Sequence, residues 1–285
     1  MPTLRMDLPI LEGGKPMNPL HTLLSASALA VGACIAALTP VAFANHHNHA
    51  VQAIDPAIAA AVASSARSPE NRARDSYRHP AETLSFFGVK PGDTVVEFIP
   101  GGGWYTEILT PFVSGHGHYI GAQTPGAGLD KLKARFTGTH IRFVDWPVGD
   151  AIPAGSVDTI LTFRNVHNLV MKDSAPAAFA AFFALLKPGG TLGVVDHRLP
   201  EDRDTAQEKN NGYLKTSTVR KLAEDAGFVL EAQSEINANP KDTANWEKGV
   251  WTLPPVLMNG EVDRDKYIAI GESDRMTLRF RKPKE

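Results

Sequence analysis

One stretch constrains the chain more than any other: Thr94-Val95-Val96-Glu97-Phe98-Ile99-Pro100-Gly101-Gly102-Gly103-Trp104-Tyr105-Thr106-Glu107-Ile108-Leu109. It reads as a strand, a glycine turn and the start of a helix. Val95, Val96, Phe98 and Ile99 form a buried β run with one acid, Glu97, inside it. A charge in such a run is costly to bury unless it finds a partner. The three glycines that follow let the backbone turn sharply and let a ligand approach without a Cβ in the way. An acid at the strand end and glycines at the turn suit a ligand with hydroxyl or amine donors lying across that turn.

The dinucleotide fingerprint G-x-G-x-x-G needs a third glycine at position 106, where Thr106 stands. A nicotinamide-dependent oxidoreductase is therefore the weakest cofactor reading. The bland reading is a β-turn-α corner with no cofactor at all.

The chain has 285 residues, enough for one large domain with additions or two small ones. Its net charge of −2 gives no argument for a nucleic-acid surface. Cys34 is the single cysteine, so neither a disulfide framework nor a cysteine-based zinc site can form.

Residues 1–44 read as a signal peptide. Leu23 to Ala44 is almost wholly apolar or small, and Ala42-Phe43-Ala44 is a small-residue cleavage signature. Met17 is an alternative start that would give a shorter leader. Cleavage after Ala44 predicts a periplasmic or secreted protein with no membrane segment left. His46, His47 and His49 would open the mature chain as a metal-binding tract or a plain polar terminus. Residues 45–66 form a helical or flexible N-terminal segment, and 67–285 the main domain. In that domain Arg72, Arg74, Asp75, Arg78 and His79 are either a lid over a ligand or a solvated helix face.

From Gly88 onward strands alternate with helices. Strands are expected at 118–123, 141–145, 156–163, 191–196, 228–233 and 276–281, besides the one at 94–99. Repeated β-then-α units imply a parallel sheet with right-handed crossovers. The last strand is expected to run antiparallel to its neighbour. A long irregular insertion occupies about 237–270. Ligands in such sheets bind at the carboxyl ends of the strands. That rim carries Glu97, Gly101, Gln123, Asp145, Phe163, Arg164, Asn165, Asp196 and His197.

Glu97, Gly101 and Gly103 fit E/D-x-G-x-G-x-G, with Ile99 in place of the first glycine. Together with Leu186-Lys187-Pro188-Gly189-Gly190 and Ala226-Gly227-Phe228, they resemble the class I S-adenosylmethionine-dependent methyltransferases. More narrowly, Arg78-His79-Pro80, 100–105, 164–169, 195–197 and 271–280 resemble a family of exported bacterial predicted methyltransferases. The resemblance implies a Rossmann-like α/β fold, a seven-stranded sheet of order 3-2-1-4-5-7-6 with helices on both faces. It implies S-adenosylmethionine as cofactor and a small-molecule acceptor. Cofactor-binding candidates are then Glu97, Pro100, Gly101, Gly102, Gly103, Trp104, Tyr105, Gln123, Asp145, Phe163 and Arg164. Gln123 departs from the pattern, which has an acid for the ribose hydroxyls; an amide accepts but cannot match a carboxylate.

His167 and Asn165 follow the fourth strand, where related folds place catalytic groups. A histidine there can act as base, and Asn165 can orient an acceptor amine or hydroxyl. Both can equally do no more than bond the loop backbone and shape the turn. Asp196-His197 reads as an acid–histidine pair or a structural hydrogen bond, and Tyr213 as a pocket wall or core. No metal is expected. The alternative to an enzyme is an exported, non-catalytic binding module on the same fold, holding a nucleoside-like ligand or a protein partner.

Overall fold

The computed structural model describes residues 53–284. The leader expected over 1–44, its cleavage after Ala44, and His46, His47 and His49 lie outside the described residues. No helix among the described residues is long and apolar enough to cross a membrane.

The strands are β1 (Thr94–Phe98), β2 (His118–Gln123), β3 (Ile141–Asp145), β4 (Val157–Phe163), β5 (Leu186–Leu199), β6 (Leu214–Lys215), β7 (Val229–Ser234) and β8 (Arg275–Arg281). They make one sheet in the order β3-β2-β1-β4-β5-β8-β7. This is the expected seven-strand path, renumbered because the two-residue β6 pairs with the far end of β5, Arg198 opposite Leu214. β1 to β5 run parallel, and β8 lies antiparallel to both β5 and β7. β5 is longer than the expected 191–196. Lys187–Gly190, which precedes the expected strand, joins it through an irregular step in the pairing with β4, between Val157 and Thr159.

Alternate residues of β1 face opposite layers, as strand geometry requires. Val96 and Phe98 pack under the helix Ala175–Leu185, where Phe98 meets Phe182 at 5.0 Å and Trp146 at 4.8 Å. Val95 faces the other layer with Leu84, Phe87, Ile108 and Leu109. Both faces are therefore covered, which explains why the parallel strands read as continuous apolar runs.

The N-terminal helix Pro56–Ala63 belongs to that second layer. Asp55 caps it by accepting from the Ala57 and Ile58 amides. Ile58 is fully buried beside Leu84 and Ile108. Burying one such side chain is worth about 1.5–3 kcal/mol, so residues 56–63 are tied into the domain core rather than hanging from it. Three short helices follow, Pro69–Arg72, Asp75–Arg78 and Pro80–Phe87, with His79 left-handed at the corner between the last two.

The insertion around 237–270 is more ordered than expected. It holds a 3-10 turn at Gly249–Thr252 and a helix at Arg264–Ile270. Asp242 organises it. The carboxylate accepts from the Tyr213 hydroxyl, the Trp246 indole and the amides of Ala244 and Asp274. A buried acid satisfied by four donors has no local sequence signature, which is why the segment read as irregular.

Candidate functional site

Glu97 sits at the end of β1, only 3% exposed. Its Oε2 accepts from the Tyr119 hydroxyl at 2.6 Å and the Thr106 hydroxyl at 2.9 Å, and those hydroxyls touch each other at 2.9 Å. Thr106 thus fills the place of the missing third glycine with a hydroxyl bonded to the acid. Burial raises the Glu97 carboxyl to about 7, against the lowering effect of the two hydroxyls. No cation among the described residues pairs with it.

The glycine turn divides its work. Gly101 and Gly102 have nothing within 4 Å of where a Cβ would stand, so a ligand can approach their backbone. Gly103 serves packing instead: at φ +83 its Cβ would come to 2.8 Å from the Phe136 ring. Ile99, where the pattern has glycine, adopts the left-handed φ of 52. The Gln123 side-chain oxygen accepts from the Gly101 amide at 3.4 Å. Asp145 is exposed at the end of β3, opposite Gln123 in the pairing.

A cavity of about 210 Å³ opens at this turn. It is lined by Glu97, Pro100, Gly101, Gly102, Trp104, Tyr105, Phe163, Arg164 and Asn165, together with Asn71, Arg74 and Arg78. Eight of the eleven expected cofactor residues therefore come together. Gly103, Gln123 and Asp145 stand outside its wall. Tyr105 stacks on Phe163 at 3.6 Å, and the Trp104 indole donates to the Asn71 carbonyl with the Arg78 guanidinium 4.7 Å from its ring centre. Both aromatics are buried, so they build the wall from behind.

The charge run of the N-terminal region settles part way between its two readings. Arg74 and Arg78 close over the cavity, whereas Asp75 pairs with the buried Arg67 at 2.7 Å. Arg74, Arg78 and Arg275 converge on one acid, Glu272, itself 3% exposed. Burial pushes the Glu272 carboxyl up, but Arg78, Arg275, Arg74 and Arg164 outweigh it and hold it low. Arg78 is lowered to about 9, first by burial and then by Arg164. Its Nη2 is buried with no hydrogen-bond partner, a cost unless something anionic arrives.

A second cavity of about 200 Å³ lies at the ends of β4 and β5. Arg164, His167, Asn168, His197, Val250, Trp251, Pro254, Pro255 and Val256 line it. His167 Nδ1 lies 2.8 Å from Asp196 Oδ1, and the His167 amide donates to Oδ2 at 3.1 Å. Asp196 also takes the His197 amide and is wholly buried. That partner assigns the proton to Nδ1 and leaves Nε2 as the lone-pair nitrogen. His197 bonds Ser273 at 2.5 Å, and burial, with His167 and Arg164 next, lowers its pKa far enough to keep it neutral.

Asn165 is a clamp: its amide nitrogen donates to the carbonyls of Phe98, Ile99 and Phe163, tying β1 to β4. Only its oxygen remains for a ligand. Tyr213 is fully buried with its hydroxyl on Asp242, so it packs beneath the insertion. His167, Asp196 and His197 bring ligand-type atoms within 4.8 Å of one another. Asp196 is already filled by three donors, however, and Arg164, Arg78 and Arg275 stand near His197 as cations, which opposes a metal ion. A larger cavity of about 390 Å³ beside Arg198 touches none of the expected residues. Arg198 is spent there on Asp274 and Glu235.

No protein-family model matches the chain, and no curated protein does either. Solved structures do match its fold. An S-adenosylmethionine-dependent methyltransferase from Aquifex aeolicus superposes with a TM-score of 0.53 at 16% identity, over 75% of this chain and 94% of that one. The fold is that of the class I methyltransferases. A Galdieria sulphuraria protein provisionally named a sarcosine dimethylglycine methyltransferase gives 0.54 at 14% identity, over 82% and 92%. A Methanosarcina mazei S-adenosylmethionine-dependent methyltransferase gives 0.50 at 11%, over 71% and 98%. The 210 Å³ cavity opens at the carboxyl ends of β1 and β4 and the 200 Å³ cavity at those of β4 and β5, the rim where open α/β sheets bind ligands.

Proposed function

We propose that the chain is an S-adenosylmethionine-dependent methyltransferase acting on a small-molecule acceptor. The observation that carries the reading is Arg164. It lines both cavities, so a cofactor at the glycine turn and an acceptor at His167 would meet at the end of β4.

The residues present fit the cofactor. Gly101 and Gly102 leave their backbone open, Glu97 offers a carboxylate for an ammonium group, and Arg78 offers an unpaired N–H for a carboxylate. When bound, S-adenosylmethionine would supply a methyl group on a positively charged sulfur and depart as the neutral thioether. Asn165 would keep the ends of β1 and β4 in register, since two of its bonds cross to Phe98 and Ile99 while the third holds the Phe163 carbonyl of its own strand. His167 Nε2 would take the proton that the acceptor hydroxyl or amine loses. Asp196, bonded to Nδ1, would stabilise the resulting imidazolium, much as the acid does in other acid–histidine pairs. Alignment of two reactants supplies much of the remaining acceleration. We further propose export by the leader at 1–44, to the periplasm or beyond.

The test is calorimetric titration of the full chain with S-adenosylmethionine and S-adenosylhomocysteine, with Glu97→Gln alongside. The expected result is micromolar binding, about −8 kcal/mol, weakened tenfold or more in the variant. A folded protein that binds neither compound would sink the reading.

A further inference from the structure

Arg164 differs from every other arginine around the cavities. Arg74, Arg78 and Arg275 are each tied to Glu272. The Arg164 guanidinium makes no hydrogen bond and no ion pair among the described residues; only its backbone amide is engaged, with the Val195 carbonyl at 2.7 Å. The acids that act on it through space, Glu272 and Asp196, are spent on other partners. The residue also holds a left-handed φ of 61. A bulky side chain in that conformation is uncommon and costs energy, and such strain gathers at functional positions.

The wall around this free cation is specific. The second cavity takes Val250, Trp251, Pro254, Pro255 and Val256 from the insertion on its apolar side. Its polar end carries His167 and the neutral His197. Among the described residues that line it, Arg164 is the one of permanent charge. At about 200 Å³ it is smaller than the ~300–1,000 Å³ typical of drug-sized sites, which suits one small ring system. The glycine-turn cavity has its own unsatisfied donor in Arg78 Nη2. A carboxylate bound there does not need Arg164.

We propose that Arg164 anchors a negatively charged group of the acceptor, and that the substrate is a compact, flat, apolar molecule bearing a carboxylate, with its nucleophile at His167. This rests on the methyltransferase reading and names the substrate class for it. Arg164, expected from sequence among the cofactor residues, then acts as the specificity residue between the two cavities. A guanidinium suits this role because it binds a carboxylate through two parallel N–H donors.

The test is calorimetry on the full chain saturated with S-adenosylhomocysteine, using matched pairs of acids and neutral amides. Suitable pairs are 4-hydroxybenzoate with 4-hydroxybenzamide, and indole-3-carboxylate with its amide. At least one acid should bind tenfold or more tightly than its amide. Arg164→Gln should abolish that preference, and Arg164→Lys should keep part of it. Arg164→Gly removes the charge while relieving the left-handed backbone, so it repeats the Gln result in a chain that has lost no backbone stability. In all three, affinity for S-adenosylhomocysteine should stay within threefold. The proposal is overturned if acids and amides bind alike to the native chain, or if Arg164→Gln keeps the preference. It is equally overturned if Arg164→Gln weakens S-adenosylhomocysteine tenfold, because the guanidinium then serves the cofactor. Should S-adenosylhomocysteine not bind at all, the methyltransferase reading fails, and the same pairs titrated on the unliganded chain still decide the role of Arg164.

Discussion

Glu97 and Glu272 are the same residue type, each only 3% exposed, and their surroundings could hardly differ more. Glu272 lies among Arg74, Arg78 and Arg275, and its carboxyl is held low. Glu97 receives two hydroxyls and no cation, and its carboxyl rises to about 7. The first acid is balanced by the protein itself. The second is left unbalanced on the wall of a cavity. A buried charge without a protein partner is costly, and the group that offsets it here is read as the ligand's own cation.

Three measurements would break or sharpen that contrast. The largest effect is expected at Glu272. Glu272→Gln leaves three guanidiniums crowded without a counter-charge, and breaking such a buried network costs about 3–5 kcal/mol. Denaturant unfolding should show this loss, and a change below ~1 kcal/mol would mean that the cluster is solvated and carries little. Next comes a third buried acid, Asp196, which is bonded to His167. His167→Ala should lower turnover by about 10²–10⁴ while S-adenosylhomocysteine binds within twofold of the native affinity. Unchanged turnover would remove His167 as the base and leave it as a turn residue.

The smallest effect concerns Glu97 and emerges only as pH rises. Its folded pKa of about 7 stands above the ordinary 4.5, so the unfolded chain loses this proton first. Stability should therefore fall as pH rises from about 4.5 to 7 and level off beyond. Glu97→Gln keeps an acceptor for Tyr119 and Thr106 but cannot ionise. The variant should match the native chain near pH 5 and exceed it at pH 8 by about 1–3 kcal/mol, read by thermal unfolding at both values. Equal stability at pH 8 would place the native carboxylate in contact with water. Glu272 has the opposite sign: its depressed pKa makes it stabilising above the ordinary carboxylate range, and that contribution is lost in acid.

The same contrast explains what could be read from the chain. Glu97 and its turn were legible because strand, acid and glycines are contiguous, and contiguity is what a motif records. The parallel sheet followed from the βα alternation, and the strand order from the family resemblance alone. The partners of Glu272 were not legible: Arg74 reaches it across 198 positions, and no local spacing encodes that. The wall at Trp251 and Pro254–Val256 escaped for a similar reason, since it hangs on Asp242 and Tyr213 rather than on any periodic pattern. β6 is two residues long, too short to leave an alternation. The role of Gly103 was also hidden, because the ring that forbids a Cβ there belongs to Phe136.

The position of β8 has a bearing on how the chain comes to be folded. β8 follows β7 in the sequence yet lies between β5 and β7, so a nascent chain carries both without their shared neighbour until Arg275–Arg281 has been made. Pairings across long separations form late because loop closure must precede their reward. During that interval β5 presents an open edge rich in valine and leucine, the kind of edge that templates aggregation. Glu272 and Arg275 arrive with the same segment, so the cavities also acquire their electrostatic keystone last. A chain released at Ile270 would, on this topology, be incomplete in both sheet and site.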